Sequence, residues 1–270
     1  MVGTQEVQKI MYGTEELTTL AIGDWSFPVG GDDYASKPFT VEVTNTSSDT
    51  AEFRFWRSGS VPSRTYLYSI NGGTASAFTF DSENTQLNLQ VSEGDIIEFA
   101  VPSDQNGTGH DYSSYLYFPT NGAIEYKAYG NIMSLCYVNY KNATTIPNDD
   151  CFRGLFSGNT SLVDVENLVL PATALTNNCY RSMFKGCKKI TKSPSLNADS
   201  LVYYSYGDMF NGCKLLEHIT CLATDISANY CLQNWVNTVA SNGTFVKKKD
   251  IVFPTGNNGI PSGWTVEEVD

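Results

Sequence analysis

The stretch NCYRSMFKGCKKI, from Asn178 to Ile190, decides the fold. It belongs to a family of similar stretches within the chain, which are CFRGLFSGNTSL (Cys151–Leu162), CYRSMFKGCKKI (Cys179–Ile190), SYGDMFNGCKLL (Ser205–Leu216) and a degenerate copy, CLQNWVNTVASN, that begins at Cys231. The copies begin 26–28 residues apart. A fixed period of this length indicates a repeat architecture, in which each copy buries its apolar face against the next.

The spacing inside one copy predicts a short helix. Cys179, Met183 and Cys187 lie at i, i+4 and i+8, which is the spacing of an apolar helical stripe. Candidate N-cap residues stand just ahead of the copies, at Asp149, Asn177 and Asn229. Glycines inside the copies, at Gly158, Gly186 and Gly212, would end the predicted helix. Each copy is followed by a short predicted strand, in LVDVENL, ITKSPSL, LLEHITCL and TFVKKKD. One helix and one strand per repeat predict a leucine-rich-repeat type of solenoid.

The cysteines of the repeats are interpreted as packing residues. The predicted repeat core consists of Cys151, Phe156, Cys179, Met183, Phe184, Cys187, Met209, Phe210, Cys213, Cys231 and Trp235. A disulfide framework is disfavoured because seven cysteines is an odd count and Ser205 fills one ladder position. A zinc site is disfavoured because no CxxC pair exists and only His110 and His218 could add nitrogen ligands. Neither a metal nor a cofactor is therefore expected.

The first half of the chain follows a different pattern. FTVEVTN and AEFRFWR alternate apolar and polar residues, as half-buried strands do. Three predicted hairpins turn at Asn71–Gly73, Glu93–Asp95 and Asn121–Gly122. The predicted fold is α+β and multidomain, with an antiparallel β-sandwich at 37–130 followed by the helix–strand solenoid and its cap at 131–270. Residues 1–36 are either a β-arm or the first strands of the sandwich.

Charge and hydropathy narrow the range of partners. The chain has 270 residues and a formal net charge of −12, which disfavours nucleic acid. The one basic run, Lys247–Lys249, predicts a solvated loop or a sheet edge. No apolar run reaches the length of a membrane span. The N-terminus lacks the pattern of a signal peptide, so either the chain is assembled in the cytoplasm or a leader precedes Met1 in the native protein.

No combination of residues predicts an active site. A Ser or Cys nucleophile needs a positioned base, and the two histidines lie in a Gly/Asp/Ser loop and a repeat strand. None of the 29 acidic residues belongs to a recognisable motif, including the aspartates at 32–33, 104 and 149–150, for which a structural Ca²⁺ stays open. No catalytic residue is therefore expected. The candidate binding residues are the aromatic side chains of Tyr203, Tyr204 and Trp56, although both tyrosines could instead pack against the adjoining turn.

The repeats also resemble a known family. NIMSL (131–135), ENLVLPATAL (166–175), CYRSMFKGC (179–187) and the closing segment from Cys221 to Val266 are similar to the BspA-like leucine-rich-repeat proteins of gut Bacteroidetes and their phages. This resemblance implies a non-enzymatic binding protein. Its N-terminal half would attach to other virion or surface proteins, and its repeats would bind a host-surface protein or glycan.

Three functions follow from the sequence and the resemblance. The first is a phage virion component, in the tail or a head appendage, that is assembled in the host cytoplasm and attaches to the host surface. Virion appendages are commonly symmetric, so this hypothesis includes a homo-oligomer. The second is an adhesin on the bacterial cell surface, and the third is a carbohydrate-active enzyme.

Overall fold

A computed structural model describes residues 11–12, 15–16, 33–58, 63–81, 85–107, 109, 115–118 and 123–270. The regular structure of the described ranges consists of β-strands and a few short 3-10 turns, without any α-helix. The predicted helix–strand solenoid, and with it the α+β fold class, is therefore wrong, because the fold is almost entirely β. Of the predicted β-arm or first sandwich strands at 1–36, the structure describes 11–12, 15–16 and 33–36. In these ranges Met11–Tyr12 pairs with Glu15–Glu16, and a 3-10 turn spans Tyr34–Ser36.

Sixteen strands and four 3-10 turns lie in the described residues. The strands are β1 (Met11–Tyr12), β2 (Glu15–Glu16), β3 (Phe39–Thr46), β4 (Ala51–Ser58), β5 (Arg64–Ile70), β6 (Ser76–Phe80), β7 (Gln86–Val91), β8 (Ile96–Ala100), β9 (Tyr115–Tyr117), β10 (Ile124–Asn131), β11 (Leu162–Asp164), β12 (Leu168–Val169), β13 (Lys192–Leu196), β14 (His218–Cys221), β15 (Thr244–Lys248) and β16 (Thr265–Val269). The 3-10 turns are Tyr34–Ser36, Ser103–Gln105, Ile132–Leu135 and Tyr140–Asn142.

Two sheets face each other in the first half of the chain. The larger sheet has the order β11-β10-β3-β8-β5-β6, with β12 also paired to β10, and the smaller sheet has the order β7-β4-β9. The predicted alternation in AEFRFWR is confirmed, because Phe53 and Phe55 of β4 are fully buried. The Phe55 ring lies 5.2 Å from the ring of Phe99 in the larger sheet, so these phenylalanines join the two sheets.

Only one of the three predicted hairpins is confirmed. β5 and β6 pair through a turn in which Asn71 and Gly72 both have positive φ, 54° and 67°, as a type I′ turn requires. The segment Glu93–Asp95 instead links the two sheets, because β7 pairs with β4 while β8 pairs with β3 and β5. The third predicted turn lies outside the described residues, and its flanking strands β9 and β10 also belong to different sheets.

The repeats stack through turns and not through helices. From residue 178 to residue 186 every second backbone N–H donates to the next repeat, as in the bonds from Tyr180 to Ser205 (3.1 Å) and from Phe184 to Met209 (3.0 Å). The intervening N–H groups close tight turns to the carbonyl three residues earlier, as Met183 does to Tyr180 at 3.1 Å. Every N–H of this stretch is therefore paired without any helical i→i−4 bond.

The period of these turns explains why a helix was predicted. The backbone enters the left-handed region at every fourth residue, at Asn178 (φ 54°), Ser182 (φ 57°) and Gly186 (φ 75°). Residues four apart consequently face the same side, as they do in an α-helix. A continuous right-handed helix cannot contain regularly spaced left-handed residues. The burial of Cys179, Met183 and Cys187 thus follows a period of four residues. Over so short a stretch, this period is indistinguishable from that of an α-helix.

Strands follow each repeat, as predicted. β13, β14, β15 and β16 form a parallel sheet in chain order. Lys247 lies in β15, which is an interior strand of this sheet, and its Nζ is 2.5 Å from the carboxylate of Glu268. The solvated loop or edge predicted for Lys247–Lys249 is therefore wrong for Lys247, which is mostly buried.

A column of phenylalanine rings runs through the repeats. Phe156, Phe184 and Phe210 stack at 5.6 Å with planes 4° apart at each step. The column continues to Phe118, just after β9, whose ring stacks on Phe156 at 5.5 Å. Asn159, which stands where later repeats have Cys187 and Cys213, donates its amide to the Phe118 carbonyl. The first repeat thus packs directly on the two-sheet part, and the domain boundary at 130–131 remains a prediction.

Candidate functional site

The structure brings two of the three predicted binding residues together. Tyr203 and Tyr204 contact each other and a third tyrosine, Tyr230. Trp56 lies instead in β4, where its ring is 5.4 Å from that of Tyr117, and no ring contact joins it to the tyrosines within the described part of the chain. We call Tyr203, Tyr204, Tyr230 and Arg181 the tyrosine cluster.

The tyrosine cluster is a stack with one ring at its side. The Tyr204 ring lies between the Arg181 guanidinium, 4.3 Å from its centroid, and the Tyr230 ring, which is 5.0 Å away and nearly parallel. Tyr203 meets both other tyrosines edge-on, at 4.9 and 6.0 Å. Cation–π and edge-to-face contacts of this kind are favourable and directional, so the rings support one another in fixed orientations.

The register of the repeats produces this stack. Tyr204 and Tyr230 occupy equivalent positions in successive repeats, where the earlier repeats have Asp150 and Asn178. The backbone at these four positions is left-handed, with φ between 52° and 61°. Asp and Asn tolerate this conformation, whereas a bulky aromatic residue in it is an outlier. Strain of this kind is often kept at functional positions, so the two tyrosines mark a candidate site.

A glycine makes room for the Tyr204 ring. The position equivalent to Gly207 is Arg153, Arg181 or Gln233 in the other repeats, so the backbone there accepts a side chain. In the third repeat, however, a Cβ on Gly207 would lie 2.6 Å from Cδ1 of Tyr204. Gly207 is therefore required by the position of the tyrosine ring.

The cluster presents aromatic surface to solvent. Tyr203 is 46% exposed and Tyr230 is 55% exposed, whereas Tyr180 and Tyr206, inside the repeats, are almost fully buried. Burying such exposed rings against a partner would remove apolar surface from water, which favours binding. Tyrosines held in this way lose little conformational freedom on binding and are frequent hot spots of interfaces.

Two members of the cluster were missed by sequence reasoning. Tyr230 was visible as the counterpart of Tyr204 one repeat later, and their shared register could have predicted the stack. The sequence around Arg181 did not indicate a contact with a tyrosine. Arg153, at the equivalent position of the first repeat, makes a different contact, an ion pair with Asp150 at 2.9 Å.

The seven cysteines are free and buried. The predicted repeat-core residues are likewise all buried. Burial raises the pKa of Cys179, Cys213 and Cys221 to about 12. Thiols with such pKa values carry almost no thiolate at neutral pH, so they are poor nucleophiles. The closest pair, Cys136 and Cys151, has its sulfur atoms 3.5 Å apart at the junction between the first repeat and the two sheets.

The histidines form no recognisable dyad in the described structure. His218 lies in β14, and its Nε2 is 3.4 Å from the hydroxyl of Thr220. His110 lies outside the described residues. Within the described ranges, no group of three or more His, Cys, Asp or Glu side chains is arranged to hold a metal ion.

A second, polar cleft lies on the outer face of the larger sheet. It has a volume of about 200 Å³ and lies between Tyr34, Lys37 and Tyr129 on one side and Glu42 and Lys127 on the other. The Lys37 Nζ lies 5.2 and 5.6 Å from the Tyr34 and Tyr129 ring centroids. Lys127 pairs with Glu42 at 3.8 Å, and the lining also contains Asp164, whose charge is opposite to that of Lys37.

Comparison with known proteins adds no relative. No protein-family model, curated protein or solved structure matches this chain. No helix in the described part of the chain is long and apolar enough to cross a membrane.

Proposed function

We propose that this protein is a non-enzymatic adhesive component of a phage particle that binds the host surface through the tyrosine cluster. The observation that carries the proposal is the group of three ordered tyrosine rings, two of them about half exposed, held by the stacked repeats. The left-handed backbone of Tyr204 and Tyr230 is unfavourable for tyrosine, and a role at the surface accounts for it.

The repeats act as a rigid support for the cluster. Each repeat is bonded to the next by a row of backbone hydrogen bonds, and the phenylalanine column fills the space between them. A surface that is already ordered loses little entropy when a ligand binds. The two-sheet half, which packs on the first repeat, would then attach the protein to the rest of the particle.

The virion location rests on the resemblance of the repeats to surface and virion proteins of gut Bacteroidetes and their phages. A bacterial cell-surface adhesin that uses the same cluster is the alternative. The two hypotheses share the same binding site. They differ in where the chain is found, in a phage particle or on the bacterial surface.

Binding of the purified, fluorescently labelled protein to intact Bacteroidetes cells tests the adhesive function. We expect saturable binding that falls about tenfold or more in the double variant Tyr203→Ala/Tyr230→Ala, because the exposed rings are lost. Leu215→Ala is the matched control, since Leu215 is also 55% exposed but lies outside the cluster. Equal binding by the double variant and the wild type would contradict the role of the tyrosine cluster.

A further inference from the structure

The row of hydrogen bonds between repeats ends at the fourth copy. Phe152, Tyr180 and Tyr206 each donate their backbone N–H to the following repeat, at 2.8, 3.1 and 3.0 Å. Leu232 occupies the same position in the last copy, but its N–H reaches no backbone carbonyl of a further repeat among the described residues. The backbone ladder between repeats therefore stops at this copy.

The next segment of chain covers only part of this end. Val236 still donates to the Asn257 carbonyl at 3.3 Å, but Asn234 donates to the side-chain Oδ1 of Asn258 at 2.7 Å. Pro254 and Asn258 therefore lie against the last repeat beside the side chain of Tyr230, which is 55% exposed. The result is a depression of about 190 Å³.

The depression combines one aromatic wall with several polar groups. Tyr230 borders it, and Tyr204 already covers one face of this ring at 5.0 Å. The amide side chains of Gln233 and Asn258 line it as well, and Asn258 Nδ2 has no partner in the described part of the structure. The site thus offers a flat apolar surface together with hydrogen-bond donors from two side-chain amides.

We propose that this depression binds a single pyranose ring of a surface glycan. The apolar C–H face of the sugar would lie on Tyr230, and its hydroxyl oxygens would accept from the side-chain amides of Gln233 and Asn258. The inference rests on the proposed adhesive function and names its ligand class. Pockets that enclose drug-sized ligands occupy roughly 300–1,000 Å³, so this smaller space suits one ring.

A glycan fits this site better than an extended peptide. A peptide that adds to a sheet edge needs a continuous row of backbone donors and acceptors. Here Asn258 Oδ1 already occupies the N–H of Asn234, two residues beyond Leu232, so an added strand could not continue along the row. A compact ring makes no such demand.

Saturation-transfer NMR with a panel of neutral, N-acetylated and acidic methyl pyranosides tests this proposal. We expect transfer from the protein to the ring protons of at least one sugar, and a loss of affinity of about tenfold in Tyr230→Ala. Gln233→Ala should weaken binding less, and Tyr230→Phe should retain most of it because the ring remains. Val252→Ala is the control, since Val252 is 86% exposed and does not line the depression.

The outcomes separate this proposal from the adhesive function. If no sugar of the panel shows transfer, or if Tyr230→Ala binds as well as the wild type, the pyranose site is wrong. Cell binding that persists after periodate oxidation of the cell-surface glycans would leave the adhesive function intact and would also overturn the pyranose site. An absence of any cell binding by the wild type would overturn the adhesive function itself.

Discussion

The thiol of Cys187 donates a hydrogen bond to the carbonyl oxygen of Phe156, one repeat earlier, at 3.0 Å. Cys213 makes the equivalent bond to Phe184, also at 3.0 Å. The cysteines at this position therefore join successive repeats beside the phenylalanine column. Their contribution is both packing and a weak hydrogen bond.

Replacing Cys187 by Ala should lower the free energy of unfolding by about 1–2 kcal/mol, because it removes the thiol donor and leaves a small cavity. Urea denaturation monitored by circular dichroism measures this change. Lys188→Ala is a suitable control, since that neighbouring side chain is exposed. An unchanged midpoint in Cys187→Ala would show that this contact contributes nothing.

Phe184→Ala should be more damaging, with a loss of about 3–5 kcal/mol. Phe184 lies between Phe156 and Phe210, so its removal leaves a cavity in the middle of the column. Phe184→Leu should cost less because most of the volume is retained. The same denaturation experiment measures both variants, and equal effects of Ala and Leu would argue against the column as a major source of stability.

The free energy of unfolding should fall as the pH rises above the pKa of an ordinary thiol. Burial raises the pKa of Cys179, Cys213 and Cys221 to about 12 in the folded chain, whereas unfolded thiols ionise near about 8.5. The unfolded state therefore binds fewer protons between these values, and the folded state loses stability as pH rises. The full contribution is present below about pH 8.5.

Urea midpoints measured from pH 7 to pH 11 test this pH dependence. Cys221→Ala should show a shallower decline than the wild type, because one of the raised thiol pKa values is gone. A midpoint that stays constant over this range in the wild type would mean that the cysteines are not buried as the structure has them.

Gly207→Ala should impair binding more than stability. The added methyl group would meet the Tyr204 ring and displace it from the stack between Arg181 and Tyr230. We expect cell binding to fall severalfold, with a loss of stability near about 1 kcal/mol or less. Gln233→Ala, at the equivalent position of the last repeat, provides a comparison for stability. Normal cell binding by a folded Gly207→Ala variant would argue against a fixed Tyr204.

Much of the repeat region could be predicted from the sequence, but not its backbone. The period of 26–28 residues, the apolar positions and the following strands were all legible, because burial dictates residue type in every copy. The spacing of Cys179, Met183 and Cys187 fits both a helix and turns of four residues. Asn178, Ser182 and Gly186 could have resolved this ambiguity, because residues that favour turns recur there at every fourth position.

The sheet pairing in the first half was less predictable. The strand at Ala51–Ser58 followed from its alternation, but alternation does not identify a strand's partner. The segments around Glu93–Asp95 carry turn residues, which are equally compatible with a hairpin and with a crossing between two sheets. The pairing of β7 with β4 and of β8 with β3 and β5 shows which arrangement the chain adopts, and the contact of Phe55 with Phe99 joins the two sheets across the core.

The candidate site was only partly predictable for a similar reason. Tyr203 and Tyr204 were recognisable as aromatic residues at positions where the first two repeats have Asp or Asn. Their contact with Tyr230 depends on the register between the third and fourth repeats. The contact of Arg181 with Tyr204 depends on the register between the second and third repeats. These alignments are three-dimensional consequences of the backbone ladder.

Density-gradient fractionation of the native source, with peptide mapping of this chain across the fractions, tests the proposed function most directly. Our account predicts that the chain sediments with particles that contain packaged DNA. Recovery of the chain in the outer-membrane fraction, without such particles, would contradict the virion assignment and leave a bacterial adhesin.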